Sequence, residues 1–501
     1  MSTKDRRDFI KKTMVGGSGI MLGGSTLSAA SYSNVMGAND TIRVGIIGLH
    51  GHGSNHIRNF LPIKGVRIAA LCDVDSSQIS RRKQELSKAG VSVEGYSDMR
   101  RLLDNKDIDV ITIATPNHWH ALAAVWGCQA GKDVMVEKPV SHSIWEGRKI
   151  VEAARKYDRI VQADLDRRSS TARAKAYEYL QSGKLGKVLF VKSVNYKRRR
   201  SIGLVHVPQP IPSTVDYNLW CGPTRMKPLM RQRLHYDWHW QYNTGNAEIG
   251  NNGPHTLDCV RWGLGMKTLP ESVYSLGGRY GYIDNGDVPN THLCVYDYQG
   301  IPIVYESRGL PENPNSDNMD GLSTISSTGK KVFFPHNRKS PNNHEAFICE
   351  NGILHGTEIY DNAGNRINTF EEDSDSQGPK EHFVNGLRSR RKSDLRIDIE
   401  EGHLSTAFCH LGNISYKMGE PAKPAEIEEI IGGDKFVRDA FEGMKKHLQA
   451  HGIDVAEQLP ALGPKLHFDS KTETFHGEKS ERANLFLKDT YREPFVIPDR
   501  V

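Results

Sequence analysis

The sequence predicts an α/β fold of two domains: a parallel sheet first, then an α+β domain with an open, largely antiparallel sheet. Two observations predict it. Short β-branched strands alternate with helices from Ile42 to Pro139, and from about residue 187 strands follow one another with few helices between them. Alternation implies crossover connections and a parallel sheet, whereas consecutive strands usually pair as antiparallel neighbours.

The first strand and its turn carry the strongest signal. The apolar run Ile42–Ile47 leads into Gly48-Leu49-His50-Gly51-His52-Gly53 and a helix to about Leu61. The next strand, Val66–Leu71, ends in Cys72-Asp73. A glycine turn at a helix N-terminus binds a pyrophosphate, and an acid at the second strand end binds a ribose diol. This order predicts a Rossmann dinucleotide-binding domain over residues 39–163.

One position departs from the G-x-G-x-x-G pattern. Where a second glycine would let the backbone approach phosphate, the chain has His50. Two interpretations stay open: a slightly reset turn that uses Gly51, or a cofactor pocket that has been lost. Cofactor contacts are expected from Gly48, Leu49, His50, Gly51 and Gly53.

Two further strands end in polar signatures. Asp109–Ala114 opens into Thr115-Pro116-Asn117-His118-Trp119-His120, and Asp133–Val136 ends in Glu137-Lys138-Pro139. Ligands of an open parallel sheet bind beyond the carboxyl ends of its strands, so all these signatures should share one crevice. Further cofactor contacts are expected from Asp73, Thr115, Pro116, Asn117, His120, Glu137 and Lys138.

These motifs, with Gly253-Pro254-His255, Asp258 and Trp262-Gly263-Leu264-Gly265, resemble those of the Gfo/Idh/MocA oxidoreductases over most of Ile42–Gly419. The resemblance implies a nicotinamide cofactor, a second domain that binds substrate, and a homo-oligomer formed through the second-domain sheet. Asp73 favours NAD because a carboxylate binds the diol and repels a 2′-phosphate. Arg81 and Arg82 leave NADP open.

The rest of the chain divides into two parts. We predict a substrate and oligomerisation domain over residues 164–430, with a loop-rich insert at 311–380, and a C-terminal extension over 431–501. Strands are predicted at 187–197, 271–278, 292–298, 301–307, about Val332 and 352–359. Helices are predicted at 171–181, 399–418 and 435–450.

The expected chemistry is the oxidation of a secondary alcohol, which needs a base for the hydroxyl proton beside a hydride acceptor. His255 is the predicted base because imidazole titrates near neutral pH. Lys138 is expected to stabilise negative charge on the same oxygen, and Asp258 to orient the ring or bind substrate. The family pattern has an aspartate four residues before the histidine. Here Asn251 stands instead; it cannot act as acid or base but can hydrogen-bond a hydroxyl.

An aromatic segment, His235-Tyr236-Asp237-Trp238-His239-Trp240, suits the faces and hydroxyls of a sugar. We expect substrate contacts from His235, Tyr236, Trp238 and Trp240, with ordinary core packing an equal alternative for each tryptophan. No metal is predicted, because neither His50, His52 and His56 nor His235, Asp237 and His239 match a recognised ligand spacing.

Residues 1–38 predict export. Arg6-Arg7-Asp8-Phe9 and two lysines precede the uncharged, glycine-rich segment Thr13–Ala30, as is typical of a twin-arginine signal peptide. The segment is too polar to span a membrane readily, so no span is predicted in the mature form. The predicted location is the periplasm or beyond. A dehydrogenase exported after folding would carry its nicotinamide cofactor tightly bound.

The charge gives no sign of a nucleic-acid partner. The formal net charge is +6, and the clusters at 197–200 and 388–392 lack a nucleic-acid-binding framework, so a solvated face or a subunit contact is expected. Three functions stay open. They are an NAD-dependent oxidoreductase acting on a sugar, glycoside or cyclitol hydroxyl, a glycoside-cleaving enzyme that oxidises, eliminates and re-reduces, and a non-catalytic sugar-binding protein.

Overall fold

Six parallel strands form the first sheet of the computed structural model, which describes residues 41–335, 343–374 and 376–501. The predicted export signal over residues 1–38 lies outside the described residues. The strands are β1 Ile42–Ile47, β2 Val66–Cys72, β3 Glu94–Tyr96, β4 Val110–Ile113, β5 Asp133–Glu137 and β6 Val161–Asp164.

The strand order is β3-β2-β1-β4-β5-β6, and every neighbouring pair is parallel. The order reverses between β1 and β4, which opens a crevice at the carboxyl ends of these strands. The connecting helices are α1 Gly51–Phe60, α2 Ser76–Lys88, α3 Met99–Asp104, α4 Asn117–Gln129 and α5 Ile144–Lys156. The predicted Rossmann fold is confirmed.

The second sheet has twelve strands and is largely antiparallel, as predicted; β7 and β10 form its parallel pair. Its order is β16-β15-β14-β13-β7-β10-β9-β8-β18-β17, and β19 joins β8 to β20. The main strands are β7 Val188–Tyr196, β8 Ser272–Gly278, β9 Thr291–Tyr298, β10 Ile301–Arg308, β13 Asn343–Cys349, β14 Gly352–His355, β15 Glu358–Tyr360 and β16 Arg366–Thr369. The short ones are β17 Glu420–Pro421, β18 Ala461–Leu462, β19 Leu466–Asp469 and β20 Thr474–His476.

A separate hairpin and nine further α-helices complete the described chain. The hairpin is β11 Leu322–Ile325 with β12 Lys331–Phe334. The helices are α6 Thr171–Gln181, α7 Tyr217–Cys221, α8 Ala247–Asn251, α9 Gly253–Leu264, α10 Pro379–Ser389, α11 Ile399–Lys417, α12 Pro424–Ile431, α13 Lys435–Ala450 and α14 Ser480–Asn484. Three 3₁₀ turns lie at Asp166–Ser169, Asp237–Trp240 and Lys392–Asp394.

Both faces of the second sheet are buried by the chain itself. Alternate strand residues point to opposite faces, so Val191 packs with α6, α9 and α11, whereas its neighbour Phe190 packs with α12 and α13. Phe190 stacks on Phe436 of α13 at a ring-centroid distance of 4.9 Å. The helices α12 and α13 therefore cover the part of this face around Phe190, and an oligomer through the sheet stays a prediction.

Two expectations from the sequence need correction. The single strand predicted at 352–359 is two strands, β14 and β15, because Gly356 adopts φ +60° between them. The predicted loop-rich insert contains β13, which pairs with β7 in the middle of the sheet. Its central residues Phe347 and Ile348 are fully buried.

The chain after α13 returns to the first sheet. Phe495, Ile497 and Val501 pack in the core beside α4 and α5, with Trp119 and Phe495 meeting edge to face at 5.5 Å. Residues 42–501 accordingly form one compact unit. Within the described residues, no helix has both the length and the apolar character that a membrane span requires.

We predict that Phe441→Ala lowers the free energy of unfolding by about 3–5 kcal/mol, because it leaves a cavity between α13 and the second sheet. The matched control is Phe333→Ala, whose side chain is 61% exposed and should change stability by less than about 0.5 kcal/mol. Urea unfolding of both variants measures the difference. Equal effects would contradict the covering role of α13.

Candidate active site

A cavity of about 520 Å³ lies at the carboxyl edge of the first sheet, beneath side chains of residues 197–255. It brings together sixteen of the nineteen predicted site residues. They are Gly48, Leu49, His50, Gly51, Asp73, Thr115, Pro116, Asn117, His120, Glu137, Lys138, His235, Tyr236, Trp238, Asn251 and His255. The other three, Gly53, Trp240 and Asp258, do not line it.

The glycine turn fits a bound pyrophosphate. Gly48 adopts φ +86°, and a Cβ there would lie 2.6 Å from the carbonyl oxygen of Ala114. A Cβ on Gly51, by contrast, would meet no protein atom within 4 Å, so backbone faces open space at the start of α1. This geometry supports the turn reset to Gly51. Gly53 instead allows α1 to pack on the turn, because its Cβ would lie 1.7 Å from the Gly48 oxygen.

Asp73 follows β2 and lines the cavity, and its contact with a ribose stays a prediction. Its carboxylate accepts hydrogen bonds from the backbone N–H of Leu49 at 2.8 Å and of Asp75 at 2.9 Å. Burial raises the pKa of Asp73 to about 6, even though both hydrogen bonds favour the ionised form. Arg82 donates to the Leu49 carbonyl oxygen at 3.1 Å and pairs with Glu85.

Lys138 reaches across the cavity from the end of β5. Its Nζ donates to the backbone carbonyl oxygen of Asn251 at 2.7 Å. The strand ends that flank it are fixed by His120, whose two ring nitrogens lie 2.6 Å from the Pro139 oxygen and 2.7 Å from the Thr115 oxygen. The lysine ammonium therefore has a defined position beside the residues that precede His255.

His255 faces a carboxylate, but a different one from that predicted. Its Nδ1 lies 3.3 Å from Oδ1 of Asp166, in the 3₁₀ turn after β6. Partial desolvation raises the pKa of Asp166, but the adjacent His255 ring holds it well below the usual range. Asp258, proposed to orient the ring, is instead fully buried and binds Arg168 at 2.8 Å and Ser405 at 2.7 Å. On α9 it points into the core.

A cluster of charged side chains lies around Glu137, at the end of β5. Glu137 lies 3.2 Å from Nδ1 of His52 and 3.1 Å from Nε2 of His56. Burial alone would raise the pKa of Glu137, but these two imidazoles hold it well below its usual range. His56 also lies 3.2 Å from Asp164, which binds Lys380 of α10.

In the aromatic segment, Tyr236 and Trp238 line one wall of the cavity and Trp240 lies in the core. Tyr236 adopts φ +67°, a strained conformation for a bulky residue that recurs at binding sites. Trp238 stacks on His239 at 3.6 Å. Trp240 is buried in the core, where Arg199 lies over its ring at 5.0 Å. Its predicted substrate contact is replaced by this support of Arg199, which donates to the Tyr236 hydroxyl at 2.7 Å.

Sequence reasoning missed several residues here. The basic cluster at 197–200 is not a uniform solvated face: Lys197 lines the cavity, and Arg199 is buried against Glu248 at 2.8 Å. The alternation of β7, continued past Tyr196, was the signal that could have revealed this. His239 also lines the cavity, and burial lowers its pKa to about 3. Asp166 carried no motif and could be found only in the fold.

Fold and site together define a two-domain oxidoreductase with an NAD-binding Rossmann domain. The chain belongs to the Gfo/Idh/MocA family. Residues 42–165 match the family model described as "Oxidoreductase family, NAD-binding Rossmann fold", and residues 180–275 match that of its "C-terminal alpha/beta domain". The predicted family, cofactor and enzyme class are confirmed.

The similar sequences include glycosyl hydrolases, and a dehydrogenase shares the fold. A glycosyl hydrolase family 109 protein of Shewanella baltica is 23% identical, covering 82% of this chain and 86% of its own. An α-N-acetylgalactosaminidase of Shewanella oneidensis is 22% identical, covering 75% and 76%. The WlbA dehydrogenase of Bordetella pertussis, solved with NADH and UDP-GlcNAcA, superposes with a TM-score of 0.52 at 16% identity, covering 74% and 95%. That structural likeness shows the fold alone.

We predict that NAD affinity is constant at neutral pH and falls below about pH 6. A proton on Asp73, whose pKa is raised to about 6, competes with the ribose diol for the carboxylate. Well below pH 6, the dissociation constant for NAD should rise by about tenfold for each pH unit that the pH is lowered. Calorimetric titration of cofactor-free protein measures it.

The control variant is Asp73→Asn, which keeps the shape but cannot ionise. Its NAD affinity should be weaker and nearly independent of pH in this range. An identical pH dependence in the variant would assign the effect to another group.

Proposed function

We propose that the protein is a periplasmic NAD-dependent enzyme that removes a hydride from a secondary hydroxyl of a sugar, glycoside or cyclitol. The observation that carries the proposal is the convergence of Lys138, Asn251 and His255 in the cofactor cavity, with Asp166 behind the imidazole. Those groups can hold a hydroxyl, take its proton and stabilise the resulting charge.

The proton path starts at the substrate hydroxyl. His255 takes the proton as the base, and Asp166 balances the positive charge that the ring then carries. The Lys138 ammonium has three donors, of which one binds Asn251, so two remain for the substrate oxygen. Asn251 holds a neighbouring hydroxyl. Bound NAD supplies the acceptor for the hydride.

A covering segment, residues 198–245, supports retention of the cofactor. It is anchored to the first sheet by the Ser76 N–H donating to the Thr214 oxygen and by the Asp216 N–H donating to the Val74 oxygen, both at 2.9 Å. Behind it, Asn117 donates to Asn246 at 2.9 Å. The cofactor would have to break these contacts to leave, so an exported enzyme could keep its NAD through many turnovers.

A second candidate reaction is the cleavage of a glycoside without net redox change. It is favoured by the similarity to family 109 glycosyl hydrolases over most of both chains. In that reaction the same residues would oxidise a ring hydroxyl, a proton would be lost from the acidified adjacent carbon, the leaving group would depart, and the hydride would return after water adds. It needs no external electron acceptor, which suits a compartment poor in nicotinamide nucleotides.

We predict that the protein purified without added nucleotide carries NAD, visible by native mass spectrometry. Methyl and nitrophenyl glycosides added to it should either reduce the bound cofactor or release the aglycone. Reduction without release identifies a dehydrogenase, whereas release without accumulated reduced cofactor identifies the glycosidase. If no sugar in a broad panel gave either signal, the proposed function would be refuted.

Lys138→Met should lower either activity by about 10²- to 10⁴-fold, because it removes the charge that stabilises the substrate oxygen. The matched control is Lys184→Met, an exposed lysine near Tyr179 that lies outside the cavity lining. Cofactor content, measured in both variants, separates lost chemistry from lost folding.

We predict that Asp166→Asn lowers kcat on the order of 100-fold while leaving KM within about twofold, because it removes the charge that orients and balances His255. The effect should be smaller than for a buried carboxylate, since the Asp166 side chain is 67% exposed and water can partly replace it. Asp166→Glu should restore part of the rate. Unchanged kcat in Asp166→Asn would exclude this role.

A further inference from the structure

Three side chains with metal-binding atoms converge at the edge of the cavity near Asp73. They are His50 at the start of α1, Asp75 after β2, and His235 in the covering segment. Oδ2 of Asp75 lies 3.3 Å from Nε2 of His235 and 3.9 Å from Nε2 of His50, and all three atoms lie within 4.8 Å of one another. The two rings are 3.9 Å apart.

Nε2 of His50 and Nε2 of His235 are shielded from solvent, and the Asp75 carboxylate is the polar group that the described residues place beside them. Both ring nitrogens are therefore available to an ion or ligand in the cavity.

The third side chain, Asp75, is a carboxylate with one oxygen already hydrogen-bonded. Oδ1 of Asp75 is occupied by the N–H of Ser77 at 3.0 Å and by its hydroxyl at 2.6 Å, which leaves Oδ2 toward the imidazoles. Across the described chain, Asp75 pairs with no lysine or arginine. Its negative charge therefore has no fixed cation.

A second cluster in the same protein shows the contrast. His56, Glu137 and Asp164 also place three such atoms together, but Lys380 binds Asp164 and His52 pairs with Glu137. The Lys380 ammonium already supplies a cation to that cluster. Within the described residues, no lysine or arginine pairs with the cluster of His50, Asp75 and His235.

We propose that His50, Asp75 and His235 bind one divalent transition-metal ion of the Zn²⁺ class, with the remaining positions open to water or to a ligand in the cavity. Two imidazoles and one carboxylate suit zinc and its neighbours, whereas Mg²⁺ and Ca²⁺ prefer oxygen ligands. Since His235 belongs to the covering segment and the other two ligands to the first sheet, the ion fastens the segment over the cofactor cleft.

The test uses the full chain, stripped of metal by a chelator, and titrates it with Zn²⁺ by calorimetry and with Co²⁺ by visible absorption. The expected result is one equivalent bound, with the intense bands of tetrahedral Co²⁺ and a raised unfolding temperature. His235→Ala should weaken metal binding by more than about 100-fold. Loss of a group that only supports a ligand costs roughly 10- to 100-fold, so a larger effect identifies His235 as a ligand.

Two variants sharpen the result. Asp75→Asn keeps the acceptor that Ser77 uses but removes the charge, and it should also weaken binding. His206→Ala removes an exposed imidazole of the same covering segment and should bind the metal as the parent does. Absence of stoichiometric binding in the parent, or equal affinity in parent and His235→Ala, would overturn the proposal. Because binding is measured without substrate, the outcome does not depend on the proposed reaction.

Discussion

The hydrogen bond from Lys138 to the carbonyl oxygen of Asn251 is the contact on which the site depends. Lys138 leaves the first sheet at the end of β5, and Asn251 ends the short helix α8 beside the second sheet. A partly buried ammonium needs acceptors, so the lysine holds that helix end in place. His255 follows four residues later, and the same contact therefore fixes where the proposed base stands relative to the cofactor strand.

Charged side chains behind the cavity wall form ion pairs with one another. Glu248 pairs with the Arg199 guanidinium and accepts from the Asn195 amide, and it does not line the cavity. Asp164 takes Lys380. A buried ion pair contributes little net stability but fixes geometry, because removing one partner leaves an uncompensated charge. Arg199, fixed by Glu248, in turn donates to the hydroxyl of Tyr236 in the cavity wall.

The sequence was sufficient for local features and insufficient for distant partners. Four strands of the first sheet (β1, β2, β4 and β5), the glycine turn and the polar ends of β4 and β5 were predictable, because strand periodicity, glycines and polar strand ends occur within short windows. The strands β3 and β6 were not predicted. The pairing of His255 with Asp166 was not, since it depends on how β6 and α9 pack. The prediction for Asp258 was wrong for the same reason. Its spacing of three residues from His255 suggested that both side chains share a helix face, but in α9 the Asp258 side chain points toward Arg168. β13 was hidden among Asn and Pro residues that favour loops.

The missing aspartate at position 251 and the charge found at position 166 belong to one argument. A carboxylate four residues before the histidine would lie near it through local structure alone, independent of how the two sheets pack. Asp166 instead follows the first sheet, so it meets His255 only when the first sheet and α9 are packed together. Lys138 with Asn251, and Asp75 with His235, cross the same boundary. An enzyme that exchanged its nucleotide at each turnover would have to break and remake these contacts every cycle. The cavity lining is complete only while these contacts hold the first sheet against the elements that carry Asn251, His255 and His235.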